Sequence, residues 1–286
     1  MLCIYCGSLA LKTAYTREFH KVDRTFGPFD LCECTSCGSL LTENPPTPER
    51  LGEFYRNYHR FRPDWYTAAA LSGALSSQYR FYARLLAKVM KKQTRWLDVG
   101  AGHGEVANVL ADSCPQGLAA DIGGRPDSLD ATVGYREIDL NSAGWADSLN
   151  DEFDHVFSVA VWEHVLAPVE FARNCLSLVA KGGTLTLICP DYGSLARKVT
   201  RRRWPYFEPG EHISIPTRSG ANACLDRATR DLGLDDHRIM VRTLNVGYSL
   251  RYLANVLRLN AVASLIPPDL AAPLPTGLLI AVVQRR

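Results

Sequence analysis

The sequence predicts an α/β fold, a mostly parallel sheet covered by helices on both faces and preceded by a small metal-binding module. Three observations carry that expectation. Short apolar runs alternate with helical segments from Arg95 onward, a glycine-rich bend stands where the first of those runs gives way to a helix, and two CxxCG knuckles lie within the first 38 residues.

At 286 residues, 47% hydrophobic and 22% charged, the chain can bury one large core and support a small accessory unit. Its formal net charge is +2 and no acidic or basic tail is present, so bulk charge selects neither nucleic acid nor a membrane surface as partner. The start, Met1-Leu2-Cys3-Ile4-Tyr5-Cys6, lacks a basic segment followed by an apolar run. The most apolar later segments, 178–189 and 278–283, are too short or too interrupted to span a bilayer. A soluble, cytoplasmic protein is expected.

Five of the nine cysteines crowd into the first 37 residues, whereas Cys114, Cys175, Cys189 and Cys224 are scattered singly through apolar segments. That distribution suits a metal site plus inert core thiols in a reducing compartment. Cys3-x-x-Cys6-Gly7 and Cys34-x-x-Cys37-Gly38 are two copies of one turn, separated by 27 residues that include a strand-like stretch at 11–15 and the turn Phe26-Gly27-Pro28-Phe29. Each pair can form a tight knuckle in which two thiolates converge while backbone N–H groups, eased by the following glycine, point at sulfur. Cys3, Cys6, Cys34 and Cys37 together make a tetrahedral Zn²⁺ site. Cys32 offers an alternative ligand, but Cys34 alone repeats the first knuckle's spacing and is preferred. Four protein ligands leave no open position, so the ion is expected to be structural. Residues 1–42 form a zinc-binding module that needs this ion to stay folded.

Asn44-Pro45-Pro46-Thr47-Pro48 reads as a linker, followed by an aromatic-rich stretch at 51–66. Tyr79, Tyr82, Leu85, Leu86 and Val89 recur at three- and four-residue steps and predict a helix over 75–90, so residues 43–90 are assigned to the linker and N-terminal helices. Residues 91–286 form the sheet domain, with strands expected near 95–99, 117–121, 135–138, 153–159, 184–189, 238–244 and 278–283. Helices are expected at 105–113, 169–179 and 220–232. Between Asn245 and Thr276 an insertion near 246–275 carries a helical apolar pattern, Leu250, Leu253, Val256 and Leu257, ending at Pro267-Pro268. Core packing is its default reading, ahead of a cover over the site, a dimer contact or a lipid contact.

The segment Trp96-Leu97-Asp98-Val99-Gly100-Ala101-Gly102-His103-Gly104-Glu105 sits where a buried strand hands over to a helix. Glycines at alternate positions let the backbone turn sharply and approach a ligand, and the helix start supplies N–H donors. A dinucleotide site on a Rossmann-like sheet would use GxGxxG against a pyrophosphate. Here the third glycine comes one residue early and Asp98 precedes the first by two. A carboxylate there repels a pyrophosphate but suits a cofactor carrying an ammonium and a sulfonium, which favours S-adenosylmethionine over NAD. Asp121 closes the next strand, 17 residues after Gly104, where a carboxylate can accept both ribose hydroxyls. Asp139 ends the third strand, positioned to meet the adenine amino group. A single acid at a strand end is commonly a cap or a turn former; three in register are harder to dismiss.

These residues resemble the class I S-adenosylmethionine-dependent methyltransferases, through Leu97 to Gly104, Asp121, Asp139, Phe153-Asp154-His155-Val156-Phe157-Ser158 and Trp162-Glu163-His164-Val165. Lys181-Gly182-Gly183-Thr184-Leu185 looks like the turn before that family's fifth strand. The resemblance implies a Rossmann-like seven-stranded methyltransferase sheet, joined here to a small N-terminal zinc ribbon. Within the class, the four-cysteine module, the Trp204…Glu211-His212-Ile213 segment and the Glu163-His164 pair look most like small-molecule methyltransferases related to sugar C-methyltransferases and to quinone or glycan O-methyltransferases. Sugar C-methyltransferases carry a further C-terminal domain for which this chain has no room, so an oxygen acceptor is favoured over carbon.

Methyl transfer from a sulfonium is an in-line displacement, so the protein aligns the acceptor and removes its proton. His164, just beyond the fourth strand, and His212, in the loop after the fifth, both fall at the carboxyl edge of the sheet where ligands bind. Glu211 could orient or raise the His212 imidazole. The bland alternative has Glu163 and His164 capping the following helix and Glu211-His212 closing a loop. Tyr55, Tyr58 and Tyr206 are weaker candidates for a substrate wall, and His103 for shaping the cofactor pocket. Lys198 and Arg201-Arg202-Arg203 could hold the phosphate of a sugar nucleotide or glycan lipid, though such a run is usually a solvated helix face. An RNA methyltransferase is a competing reading; the module's few lysines and the absence of an Asn-Pro-Pro-aromatic turn speak against it. A binding protein that keeps the fold without the chemistry is a third.

Overall fold

A computed structural model of the chain describes residues 1–20, 26–57, 74–251, 254, 259–267 and 270–286. Tyr58, the later part of the aromatic stretch, and Leu253, Val256 and Leu257 lie outside these residues.

Two sheets organise the described residues. The larger has seven strands: β4 (Trp96–Val99), β5 (Gly117–Asp121), β6 (Gly134–Glu137), β7 (Phe153–Val159), β8 (Val179–Pro190), β10 (His237–Ser249) and β11 (Ala271–Arg285), in the order β10-β11-β8-β7-β4-β5-β6. The five central and edge strands β4 to β8 run parallel, and β10 and β11 add antiparallel at one edge. Parallel pairing needs crossovers, and the apolar helices that make them cover both faces. On one face α4 (Pro168–Ser177) and α6 (Arg218–Asp231), which the short α5 (Leu195–Thr200) separates in sequence, contribute Phe171, Cys175, Leu176, Cys224 and Leu225 to a core with Val156, Leu185 and Leu187. On the other, α2 (Ala74–Ala87) and α3 (Glu105–Ala111) pack Tyr82, Leu86, Val106 and Leu110 against Trp96, Ala119 and Phe157.

The smaller sheet holds β1 (Leu11–Glu18), β2 (Phe29–Cys34), β3 (Leu40–Thr42) and β9 (Ser214–Ile215), in that order. Its last strand belongs, by sequence, to the loop after β8. Leu40 pairs with Ile215 and Leu41 with Ser214. Phe26, Phe29, Leu31 and Leu40 then share one apolar cluster with Trp204, Phe207, Ile213 and Ile215. Tyr5 reinforces the join, its hydroxyl 2.8 Å from Ser214 Oγ and its ring set edge-on to Trp162. Helix α1 (Pro48–Arg56) starts at the proline linker as sequence dictates: Thr47 accepts a hydrogen bond from Arg50 N–H, and Pro48 occupies a first-turn position where no N–H is needed.

Three expected boundaries move. Strand β8 begins at Val179, with the Lys181-Gly182-Gly183 turn absorbed as an irregularity between the Phe153–Val179 and His155–Thr184 pairs. Strands β10 and β11 are 13 and 15 residues long, so both ends of the expected 246–275 insertion continue the ladder through Val246–Leu274 to Ser249–Ala271. Burial of Val246 against Leu244 and Leu278 favours extended backbone there over a helix. Among the described residues of this stretch, helix is confined to short pieces such as α7 (Asn260–Ala263). No described helix is long and apolar enough to cross a membrane.

Candidate functional site

The cysteine knuckles come together as spacing predicts. Gly7 N–H donates to the Cys3 carbonyl at 2.8 Å and Gly38 N–H to that of Cys34 at 2.7 Å. Both glycines take left-handed backbone, φ +79° and +76°, so the two turns repeat in geometry as well as in sequence. The Sγ atoms of Cys3 and Cys37 are 3.6 Å apart, as are those of Cys6 and Cys34, and all four lie within 4.8 Å of one another. A tetrahedron of Zn–S bonds has edges of about 3.8 Å, so the donor set fits the ion. Cys32 stays outside this group, buried on β2.

The glycine bend follows β4 and opens on a cavity of about 760 Å³ at the carboxyl ends of β4, β5 and β7. Gly100, Gly102 and Gly104 all have positive φ, +78°, +56° and +82°. A Cβ on Gly100 would stand 2.4 Å from Val161 Cγ2, and one on Gly104 2.5 Å from Leu129 Cδ1. The bend therefore tolerates only glycine at those two positions. Asp121, last residue of β5, fixes it from beneath: Oδ2 accepts from Gly102 N–H at 2.8 Å and Oδ1 from Ile122 N–H at 2.7 Å. Asp98 is 2% exposed. Burial pushes its carboxyl well above the usual range, and the charges of Asp121 and Glu105 push it further. Glu105 is raised for the same reason, burial first. A cation seated over these three acids would relieve that cost. Asp139 accepts from Asn141 N–H at 2.9 Å and faces Arg56 at 3.9 Å.

A histidine and glutamate cluster adjoins the cavity at His164. His164 closes a 3₁₀ turn, Trp162–His164, after β7. Its Nδ1 lies 2.8 Å from Tyr55 Oη and 2.9 Å from the Glu211 carbonyl oxygen, and Tyr55 O–H donates to the same carbonyl at 3.2 Å. The His164 and His212 rings meet edge to face with centroids 4.7 Å apart. His212 Nδ1 is 2.7 Å from the Tyr206 carbonyl oxygen. The Glu211 carboxylate reaches back to the N-terminal module, Oε2 standing 3.1 Å from His20 Nε2 with both side chains buried. Glu163 is 1% exposed, and burial, with the charges of Glu211 and Glu208 added, pushes its carboxyl up to about 8.

The profile of a methyltransferase domain family matches residues 69–229, more than half of the chain. The chain belongs to this methyltransferase family. Solved structures share its fold at low identity. The plantazolicin methyltransferase BpumL, in complex with a triazolic desmethylPZN analog and SAH, superposes with a TM-score of 0.53 at 15% identity, over 84% of this chain and 98% of that one. A possible histamine N-methyltransferase of Thermotoga maritima gives 0.52 at 13% identity, over 81% and 99%. An O-methyltransferase family protein of Burkholderia thailandensis gives 0.51 at 15%, over 83% and 67%. None of the curated proteins matches the methyltransferase in sequence.

Of the residues singled out by sequence, Gly100, Gly102, His103, Asp121, Asp139, Tyr55 and His164 line the cavity. Asp98, Gly104, Glu211 and His212 do not line it. The helix after His164 starts at Pro168 with Ala167 at its N-cap and no side-chain cap, so Glu163 and His164 do not serve as its cap. Sequence reasoning missed His20, which lies 191 positions from its partner Glu211, and Glu208, which nothing in the local pattern marks. It also missed Arg125, whose guanidinium closes the loop after β5 by donating to the carbonyls of Val133 and Asp130.

Proposed function

We propose that the methyltransferase seats its donor across Gly100–Gly104, with the cationic end over Asp98, Glu105 and Asp121, and methylates a hydroxyl of a small acceptor, a sugar, glycan or related metabolite, brought in beside His164. One observation carries this reading: the same cavity is lined by the glycine bend, Asp121 and His164. Bound S-adenosylmethionine supplies an electrophilic methyl group on a sulfonium. The residues do the rest. Asp121 and Asp139 are assigned to the ribose hydroxyls and the adenine amino group; Asp98 stabilises positive charge through the floor of the bend. His164 and His212 are assigned to the acceptor's proton, with Tyr55 and the Glu211 carbonyl holding the His164 ring in one orientation. Glu211 is assigned a positioning role, because its carboxylate ties the His212 loop to His20.

Cys3, Cys6, Cys34 and Cys37 are assigned a structural Zn²⁺, and a reducing, cytoplasmic setting accords with nine unpaired cysteines. Apolar cavity walls such as Val161, Val165 and Ile122 suit a compact acceptor. The deciding experiment is calorimetric titration with S-adenosylhomocysteine, followed by methyl transfer across sugar nucleotides, glycans and quinols. Binding together with transfer to a sugar hydroxyl is expected. Binding with transfer only to quinols or to RNA rejects the acceptor assignment, and absence of binding rejects the donor pocket.

A further inference from the structure

Glu163, His164 and His212 bring one possible ligand atom each together where His164 lines the cavity. His164 Nδ1 faces the Glu211 carbonyl oxygen at 2.9 Å, and His212 Nδ1 faces that of Tyr206 at 2.7 Å. A carbonyl oxygen only accepts, so Nδ1 of His212 carries the proton; Nδ1 of His164, which also meets Tyr55 Oη at 2.8 Å, carries it when Tyr55 gives its own proton to the Glu211 carbonyl, and Nε2 is then the ring atom left to face a cation. His164 Nε2 stands 3.8 Å from Glu163 Oε1. The other Glu163 oxygen, Oε2, is buried without a hydrogen-bond partner. One ligand atom from each of the three residues lies within 4.8 Å of the others, and Glu208 and Glu211 form a second such group around His212. A buried carboxylate oxygen without a hydrogen-bond partner is costly, and a cation held between it and the two imidazoles would supply that partner.

We infer that this cluster is a divalent-cation site whose protein ligands are Glu163, His164 and His212. Backbone carbonyls that hold both imidazoles by Nδ1–H are the arrangement that orients metal-ligating histidines and directs Nε2 to the ion. Two imidazoles and a carboxylate, without a thiol, suit Mn²⁺, Fe²⁺, Co²⁺ or Zn²⁺. Glu208 and Glu211 add negative charge around the ion. Three protein ligands leave coordination open, and His164 lines the donor cavity, so the open side takes an acceptor hydroxyl. There the oxygen gives up its proton to solvent more readily, and its lone pair is the one that receives the methyl. The inference rests on the reading above that this end of the cavity receives the acceptor, and it specifies how the histidine pair serves that proton's removal.

The test is titration of the full-length, zinc-loaded protein with Co²⁺, read by visible absorption and by metal content per chain. One equivalent beyond the cysteine-bound zinc is expected, with the weak bands of a nitrogen and oxygen site and no thiolate charge transfer. Glu163→Gln and His212→Asn are each expected to weaken this equivalent at least tenfold while leaving the cysteine-bound zinc in place. A wild-type protein that takes up no second equivalent overturns the inference, as does equal uptake by both variants. Titration of the same samples with S-adenosylhomocysteine separates the two readings. Donor binding without cobalt uptake removes the cation site alone, whereas cobalt uptake without donor binding removes the donor pocket and leaves the cation site standing.

Discussion

Asp98 shows what a single side chain can be asked to do in this fold. It is buried beneath the bend beside two other acids, so replacing it should be felt by a cationic ligand before it is felt by the fold. Asp98→Ala is expected to abolish the melting shift caused by S-adenosylmethionine, whereas His212→Ala keeps that shift and slows transfer by about 10²-fold or more. The opposite pattern would reject both assignments. His155 makes a second prediction. It is 3% exposed on β7, bonded to Thr186 Oγ1 at 2.9 Å, and burial lowers its pKa from 6.5 to about 4. Because the unfolded chain takes up this proton first, stability rises with pH across that window and is lost as pH falls from 6.5 towards 4. The loss approaches about 3 kcal/mol at about 1.4 kcal/mol per unit. Denaturant midpoints should show a flatter acid limb in His155→Gln. Placement that follows from local spacing was legible: the knuckle cysteines gather, the three glycines form the bend and Asp121 bonds it. His20 and Glu208 were not, because their meaning comes from partners that only folding brings near.

Among the secondary-structure elements, β4 to β7 were read to within a residue, since turn residues or helical patterns bound each short run, whereas β8 was read five residues short because Lys181-Gly182-Gly183 looks like a turn. The β10–β11 hairpin was read too short. Pro273 and Pro275 remove ladder donors and the glycines at 247 and 277 resemble breakers, so the pattern points to a loop although pairing continues through Gly247–Pro273. Strand β9 left no periodic signal, being two residues long. The bend between β4 and α3 is the element where local strain and ligand binding coincide. Gly100→Ala would place a Cβ 2.4 Å from Val161 at φ +78°. A cost of at least 1–2 kcal/mol in unfolding free energy is expected from the backbone alone, roughly, together with at least a tenfold loss in donor affinity. Unchanged calorimetric affinity in a folded Gly100→Ala protein would show that the donor does not lie against this turn.

Across the whole molecule, the metal knuckles and the candidate catalytic loop are parts of one packed body. Thr217 bonds the Cys37 carbonyl through its hydroxyl, Arg227 on α6 donates to the Tyr5 carbonyl at 3.1 Å, and His20 meets Glu211. Loss of the proposed zinc should therefore reach the acceptor end. Cys6→Ser is expected to lower Tm by about 10 °C or more and to reduce kcat beyond what the fraction unfolded explains. A variant that loses zinc yet keeps wild-type kcat below its Tm would show that the knuckles only anchor the N-terminus.

Strand β3 has β9 as its neighbour on the side away from β2, which bears on how the gene could be cut. The run of prolines at 45–48 looks like a seam, and a fragment starting there would retain the entire seven-stranded sheet. It would also strip the covering from Ile213 and Ile215, which are 2% and 1% exposed in the intact chain, and present the backbone edge of Ser214 to any passing strand. Such a fragment should aggregate instead of behaving as a minimal enzyme, and the excised ribbon, deprived of the same two residues, should be no better behaved.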